Sequence, residues 1–309
     1  MWVNLIIIVV CLVIFERASN YLVEGLGAIS EKFDISEAVL GASIAAIGSS
    51  APEFGSSVFS VIEGEPTIGM GTIVGSAIFN ITLIVGGAAI FGKYTLQKRV
   101  LKRDGIFYLF TVIVAISTVY DGTLVRLEAV LWSIIFFLYL GWLVYDAKRG
   151  KPVPKESFDE VSTWKAVLLI VVSSFAIAIA ARYLVLNVSA LFPEAETQAT
   201  FSLIILAAGT SVPDLFTSLQ AAKKGLGSMA VSNALGSNVF DILAALGIPL
   251  SFRATTDVEM RVGASLAALL ISVVLALGLM RYKWSVSRKE AGILIGFYGI
   301  YLVYILVFV

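Results

Sequence analysis

Long apolar stretches separated by short polar segments run along the whole chain, and this pattern predicts a membrane protein. A helix that crosses a bilayer needs about 20 predominantly apolar residues. The sequence contains ten such stretches, at 2–28, 36–61, 67–92, 104–120, 124–146, 165–190, 197–222, 228–251, 257–281 and 289–309. We therefore expect an all-α polytopic membrane protein with ten transmembrane helices.

The most polar segment, 147–164, divides the chain into two halves of five predicted spans each, 1–146 and 165–309. Orientation follows from the basic residues, because Lys and Arg are concentrated in cytoplasmic loops. If both termini are outside, the cytoplasmic loops hold 17 of the 22 basic residues, and Arg126, Arg253 and Arg261 alone fall in the opposite loops. We therefore expect both termini outside, in a multi-pass protein of the plasma membrane.

Composition narrows the chemistry that the chain can perform. Of the 309 residues, 59% are apolar and 14% are charged, with equal numbers of acids and bases and no histidine. Zero net charge gives no support for nucleic-acid binding, and a single cysteine excludes an internal disulfide or a thiolate cluster. The absence of histidine excludes catalytic triads that use it, HExxH zinc sites and imidazole proton relays.

Two motifs occur twice, at the same separation. GSSAPE at 48–53 matches GTSVPD at 209–214, and GSAIFN at 75–80 matches GSNVFD at 236–241, each 161 residues apart. The similar regions span 41–82 and 202–243. Because each half contains an odd number of spans, the second half begins on the opposite side of the membrane. The sequence therefore predicts two inverted five-helix repeats, an architecture of secondary transporters.

Three acids, Glu53, Asp214 and Asp241, lie in the interior of predicted spans. A charged side chain at the bilayer centre costs about 2.5–3.5 kcal/mol even on insertion scales, so it needs a partner. The four helices that carry the motifs have no Lys or Arg at comparable depth. The pattern therefore indicates bound cations or protons.

Polar oxygens accompany these acids at helical spacing, three or four residues away on the same face. The candidate side-chain ligands are Ser49, Ser50, Glu53, Ser76, Asn80, Thr210, Ser211, Asp214, Ser237 and Asp241. Pro52 and Pro213 lack an amide hydrogen and predict a broken helix beside each acid, which frees carbonyl oxygens. A ligand set made only of oxygen suits hard cations such as Ca²⁺ and Na⁺.

The four motifs resemble the two alpha-repeats of the cation/calcium exchanger superfamily, and the ten-span layout extends the resemblance over the whole chain. The second motif region is similar to sodium/calcium exchangers, especially the potassium-dependent branch, and Asp241 carries that last likeness. The resemblance implies that Glu53 and Asp214 are the central ligands and that the carbonyls of Ala46 and Ala207 complete the ion positions. It also implies that the first and sixth helices slide over a rigid remainder. Ser49 departs from the usual Thr but keeps the oxygen.

We therefore expect an antiporter that exchanges Na⁺ for Ca²⁺ by alternating access, with K⁺ co-transport open. Such a protein has no catalytic residues and no cofactor, and we expect it to work as a monomer in the bilayer. The alternatives are an H⁺/Ca²⁺ antiporter, a passive channel and an intramembrane aspartyl protease. The sequence lacks the GxGD motif of those proteases, and a protease leaves the repeat unexplained.

Overall fold

The computed structural model describes residues 2–91, 94–147, 161–191, 195–258 and 260–308. Most of the predicted 147–164 linker lies outside these ranges. Eleven helices lie within them: α1 Trp2–Phe33, α2 Glu37–Ser49, α3 Ala51–Glu63, α4 Pro66–Ile90, α5 98–118, α6 Arg126–Ala147, α7 Thr163–Ser189, α8 Ala195–Lys223, α9 Gly227–Leu250, α10 Met260–Lys283 and α11 Arg288–Phe308. The described strands have only two or three residues each.

Seven of these helices are long and apolar enough to cross a membrane, namely α1, α4, α6, α7, α9, α10 and α11. An all-α polytopic membrane protein is therefore confirmed. The other three predicted stretches are also helical: one is divided into α2 and α3, and the others lie on α5 and α8. Since the described residues identify only the seven spans above, the count of ten remains a prediction.

The first motif breaks its helix, as its proline predicts. Ser50 leaves helical geometry at φ −88° and ψ 11°, and α3 then begins with Pro52 in its first turn. The missing amide hydrogen of a proline is tolerated in that position. The chain therefore changes direction locally beside Glu53.

The predicted break in the second motif is wrong, because α8 continues through Pro213. Two hydroxyls in the preceding turn bond back to the helix: Thr210 donates to the Leu206 carbonyl at 2.9 Å and Ser211 to the Ala207 carbonyl at 2.7 Å. Ser and Thr side chains can satisfy carbonyls near a proline inside a membrane helix. The first motif has only one of these two bonds, from Ser49 to the Ala45 carbonyl at 2.8 Å, because the Ser50 hydroxyl has no partner.

Other local features recur at the separation of the motifs. Gly64 and Gly225 end α3 and α8 in the left-handed region, at φ 89° and 77°. Only glycine adopts this geometry without steric cost. Wider π-helical turns begin at Asn80 in α4 and at Asp241 in α9. Such turns are rare in helices and are frequently found at functional sites.

Two short antiparallel sheets join the two halves of the chain. Strand β1 (Tyr94–Thr95) pairs with β4 (Ser285–Val286), and β2 (Thr123–Val125) pairs with β3 (Thr255–Asp257). A shift of 161 or 162 residues converts β1 into β3 and β2 into β4. Each half therefore supplies one strand to each sheet.

Helices α4 and α9 form the centre of the molecule. Their apolar segments are 83% and 94% buried, whereas the corresponding segments of the other five long helices are at most 39% buried. Small residues allow the central contacts: an added Cβ at Gly236 of α9 would lie 2.6 Å from the Cα of Ala42, and one at Gly41 would lie 2.6 Å from the Met229 carbonyl oxygen. Close approach through small residues is typical of membrane helix packing.

We expect Gly236→Ala to lower thermal stability, because its methyl group would meet the backbone of α2 and overpacking costs about 1–3 kcal/mol. The matched control is Gly278→Ala in α10, where an added Cβ meets nothing within 4 Å. The midpoint of thermal unfolding in detergent measures both variants. Equal midpoints would show that α2 and α9 are not in close contact there.

Candidate ion-binding site

Glu53, Asp214 and Asp241 meet in the interior. Glu53 lies in the first turn of α3, Asp214 in the middle of α8 and Asp241 at the start of the π-helical turn of α9. All three are fully buried, and one carboxylate oxygen from each lies within 4.8 Å of the others. Three helices that are distant in sequence therefore converge on one acidic cluster.

The spacing of these oxygens suits one cation held by all three acids. Ca²⁺ binds oxygen at about 2.3–2.6 Å, so two ligands of one ion lie no more than about 5 Å apart. Several buried oxygens also have no hydrogen-bond partner: Glu53 Oε2, both carboxylate oxygens of Asp241, Asn80 Oδ1 and Ser50 Oγ. Buried polar groups without partners are rare in proteins and call for an explanation. A bound cation would satisfy acceptors of this kind.

Hydroxyl and amide groups hold the acids in place, in a pattern that the two halves share. Ser76 donates to Glu53 at 3.4 Å, and Ser237 donates to Asp214 at 3.0 Å. In each case the serine follows the acid by 23 residues. Asn80 Nδ2 donates to the other oxygen of Asp214 at 2.8 Å. Glu53 and Asp214 are therefore each held by the helix that follows them in their own half, whereas neither carboxylate oxygen of Asp241 has a hydrogen-bond partner.

The two halves also contact each other directly across the cluster. Ser76 and Ser211 hydroxyl oxygens lie 2.5 Å apart. Ser49 faces Asp214 and Thr210 faces Glu53, so each proline-containing motif presents a hydroxyl to the acid of the other half. Ser50 faces Asp241 without the geometry of a hydrogen bond. The ten predicted side-chain ligands are thus gathered in one place, all at most 3% exposed.

The two predicted backbone ligands are also buried, and both already accept hydrogen bonds. The carbonyl of Ala46 accepts from the Ser50 amide at 2.9 Å, and that of Ala207 accepts from the Ser211 hydroxyl at 2.7 Å. Each also accepts a second hydrogen bond, from a hydroxyl at 3.4 Å, so a cation would have to replace one of these donors. That these carbonyls are ligands stays a prediction.

A further buried acid, Asp104, has a basic partner as well as uncharged hydrogen-bond donors. Asp104 in α5 accepts from Arg103 at 2.6 and 2.8 Å, from Tyr139 at 3.1 Å and from Ser232 at 2.8 Å. Arg103 also reaches Asp146 at 2.8 Å. In the described ranges, by contrast, no Lys or Arg forms an ion pair with an acid of the central cluster. The three acids are therefore left without a basic partner.

Two polar residues beside the cluster, Asn238 and Tyr108, were not predicted from the sequence. Asn238 accepts from Asn80 at 3.0 Å and donates to the Tyr108 hydroxyl at 2.8 Å. The available signal was a mismatch between the repeated motifs, since GSNVFD has an amide where GSAIFN has Ala77. Tyr108 gave no such signal, because it lies in an ordinary apolar stretch outside the motifs.

Comparisons with known proteins match this arrangement. The family model described as sodium/calcium exchanger protein matches residues 3–145 and, separately, 165–307. Sodium/calcium exchanger MaX1 of Methanosarcina acetivorans is 28% identical over 97% of this chain and 98% of its own length. Putative antiporter CaxA of Alkalimonas amylolytica is 30% identical over 96% of both chains. A solved structure of the sodium-calcium exchanger NCX_Mj, soaked with Na⁺ and Sr²⁺, is 28% identical and superposes with a TM-score of 0.84 over 97% of both chains.

We expect Ca²⁺ to raise the thermal unfolding midpoint of the purified protein, because a ligand that binds only the folded state stabilises it. Glu53→Gln and Asp214→Asn should each remove most of this shift, since each removes one charge from the cluster. Glu63→Gln is the matched control, an exposed acid at the end of the same helix as Glu53. A full Ca²⁺ shift in both cluster variants would rule out these acids as ligands.

Proposed function

This chain belongs to the sodium/calcium exchanger family, and from that premise we propose that it is an antiporter that exchanges Na⁺ for Ca²⁺ across a membrane. The family consists of ion transporters, so the chain is an integral membrane transporter and not an enzyme. Ca²⁺ and Na⁺ are its cargo rather than resident cofactors.

The acidic cluster is the observation that carries the proposal. Three fully buried carboxylates within 4.8 Å of one another repel when ionised, and the low dielectric around them strengthens that repulsion. A chain that folds in this way needs cations there. Because the other available ligands are hydroxyl, amide and carbonyl oxygens, the cations are hard ones such as Ca²⁺ and Na⁺.

Charge balance then supplies a mechanism for exchange. Three ionised acids are neutralised by several Na⁺, or by Ca²⁺ together with one monovalent cation. Both sets need Glu53 and Asp214, so they compete for the same oxygens and do not bind together. If the site faces each side of the membrane in turn and an empty site is too costly to move, each Ca²⁺ that leaves is replaced by Na⁺.

We also propose that the two halves, 1–146 and 165–309, are inverted repeats whose ten spans place both termini outside the plasma membrane. Three findings support the repeat: the family model matches twice, the π-helical turns of α4 and α9 begin 161 residues apart, and the two sheets interchange under the same shift. The proposed orientation depends on the concentration of Lys and Arg in alternate loops.

The moving part that we propose is the pair α1 and α7, the first and sixth predicted spans. A second hydrophobic cluster, separate from the main core, is built around this pair, with Phe15 and Leu22 of α1 beside Ile177 and Leu184 of α7. The acids, in contrast, lie on other helices. Sliding of α1 and α7 would therefore change access to the cluster without dismantling it.

We expect a Na⁺ gradient to drive ⁴⁵Ca²⁺ uptake into proteoliposomes, with Na⁺ loaded inside and diluted outside. Glu53→Gln and Asp214→Asn should lower this uptake at least about 100-fold, because each removes a charge needed by both ions. Glu63→Gln should transport at the wild-type rate. Full uptake in either cluster variant would contradict the assignment of the site, and wild-type uptake that ignores trans Na⁺ would point to a channel.

Two other driving ions are tested in the same vesicles. A pH gradient without Na⁺ should give no ⁴⁵Ca²⁺ uptake, whereas uptake under that condition would favour H⁺/Ca²⁺ antiport. The two charges of Ca²⁺ compensate only two of the three negative charges of the cluster. A co-transported K⁺ could compensate the third, so we also test K⁺. If K⁺ fills that place, K⁺ on the Ca²⁺ side should accelerate uptake, and Asp241→Asn should abolish the acceleration while exchange continues.

A further inference from the structure

One buried position in the cluster breaks the correspondence between the two halves. The position after the motif serine is Ala77 in the first half and Asn238 in the second, and both side chains are fully buried. An alanine needs no partner there, but an amide that is removed from water needs several. The second half therefore has a buried amide at a position where the first half packs with a methyl group.

The contacts of Asn238 fix which way its amide points. Its Nδ2 donates to the backbone carbonyl of Ala77 at 3.0 Å and to the Tyr108 hydroxyl at 2.8 Å, while its Oδ1 accepts from Asn80 at 3.0 Å. A backbone carbonyl can only accept a hydrogen bond. Reversing the amide would place two oxygens against each other, so Oδ1 of Asn238 must face Asn80.

The orientation of Asn80 follows from that of Asn238. Its Nδ2 lies between two acceptors, Asn238 Oδ1 at 3.0 Å and Asp214 Oδ2 at 2.8 Å. The carboxamide oxygen is consequently directed away from both, and it is the atom of Asn80 that is buried without a hydrogen-bond partner. In the opposite orientation Asn80 would present hydrogen atoms, which repel a cation.

Tyr108 ties this chain of hydrogen bonds to a firmly held helix. It is fully buried in α5, one turn beyond Asp104, which accepts from Ser232 of α9 at 2.8 Å. Two side-chain hydrogen bonds therefore join α5 to α9, one through Asp104 and one through Tyr108. One contact that orients Asn238 therefore comes from α5, a helix that supplies none of the proposed ligands.

We propose that Asn238, held by Tyr108 and by the carbonyl of Ala77, is a positioning residue that keeps the carboxamide oxygen of Asn80 facing the cation. The inference deepens the proposed function and rests on its assignment of a hard cation to this cluster. It adds that the orientation of Asn80 as a ligand is set by a chain of uncharged hydrogen bonds from Tyr108 through Asn238 to Asn80, which we call the relay. The first half has Ala77 at the position of Asn238 and cannot make the equivalent bonds.

The first test compares two buried tyrosines. Tyr108→Phe removes one hydrogen-bond partner of Asn238. It should lower the affinity for Ca²⁺ about two- to fivefold, the effect of one net hydrogen bond. Tyr139→Phe is the matched control, because Tyr139 is equally buried and donates to Asp104 but has no link to Asn80. We expect the half-saturating Ca²⁺ concentration to rise only in Tyr108→Phe, with the maximal rate unchanged. Equal values in the two variants would overturn the proposal.

The second test asks whether the effect of Asn238→Ala on Ca²⁺ affinity depends on the residue at position 80. Asn238→Ala should lower the affinity for Ca²⁺ about three- to tenfold when residue 80 is asparagine, because the side-chain amide of Asn80 is then free to turn. Asn80→Asp makes both terminal atoms oxygen, so orientation no longer matters and the oxygen of Asn238 becomes a repulsive neighbour. In that background Asn238→Ala should leave Ca²⁺ affinity unchanged or improve it. An equal loss in both backgrounds would indicate a merely structural role and refute the relay.

The Ca²⁺-induced shift in the thermal unfolding midpoint measures binding in every variant, independently of transport. If the wild type binds Ca²⁺ and the variants follow the predicted pattern but Na⁺ drives no uptake, the relay stands and the proposed Na⁺ coupling is wrong. If the wild type exchanges both ions but the variants do not differ, the relay is wrong and the function stands. Should Asn238→Ala fail to fold, the pair of tyrosine variants decides the matter.

Discussion

Repulsion among three carboxylates is the constraint on which the rest of the structure depends. With an effective dielectric constant of about 20, two unit charges 4.8 Å apart repel by about 3.5 kcal/mol, and three acids make three such pairs. The serine and asparagine donors offset part of this cost for Glu53 and Asp214. Asp241 has no hydrogen-bond partner for either carboxylate oxygen. The folded protein therefore leaves negative charge in the cluster without a partner, and this is why we propose that the cluster binds the transported cations rather than serving a structural role.

The central position of α4 and α9 follows from the same constraint. Carboxylates attract a cation strongly only where water does not reach them freely, and α4 and α9 are the most buried of the seven long apolar helices in the described ranges. Close contact at Gly41 and Gly236 seals α2 against α9. Because the donors to Glu53 and Asp214 come from α4 and α9, the enclosing helices are also those that orient the acids. Helices α4 and α9 thus both bury the cluster and orient its acids.

Most of the site could be predicted from sequence because its chemistry is expensive in a membrane. An unpaired acid such as Glu53 inside an apolar stretch has no structural use, and its repetition as Asp214 with Ser and Pro in register points to one shared site. Backbone details were less accessible. Pro52 and Pro213 look equivalent in sequence, yet only the first interrupts its helix. The hydroxyls before them also differ, since Ser211 bonds back to its helix whereas Ser50 has no partner, and sequence spacing does not reveal this. Tyr108 was missed because its role arises from packing between α5 and α9.

The differences between the halves matter as much as their likeness. Two identical inverted halves would present the same ligands to each side of the membrane and would hold every ion in a symmetrical environment. Here the equivalent positions carry Asn80 and Asp241, so one side of the cluster is neutral and the other charged. The neutral side needs help to act as a ligand, because an amide has one attractive and one repulsive end for a cation. A carboxylate needs none, since both of its terminal atoms are oxygen. The positioning role that we propose for Asn238 is therefore needed beside Asn80, the amide among the proposed side-chain ligands, and it would account for the polar residue that the first half lacks.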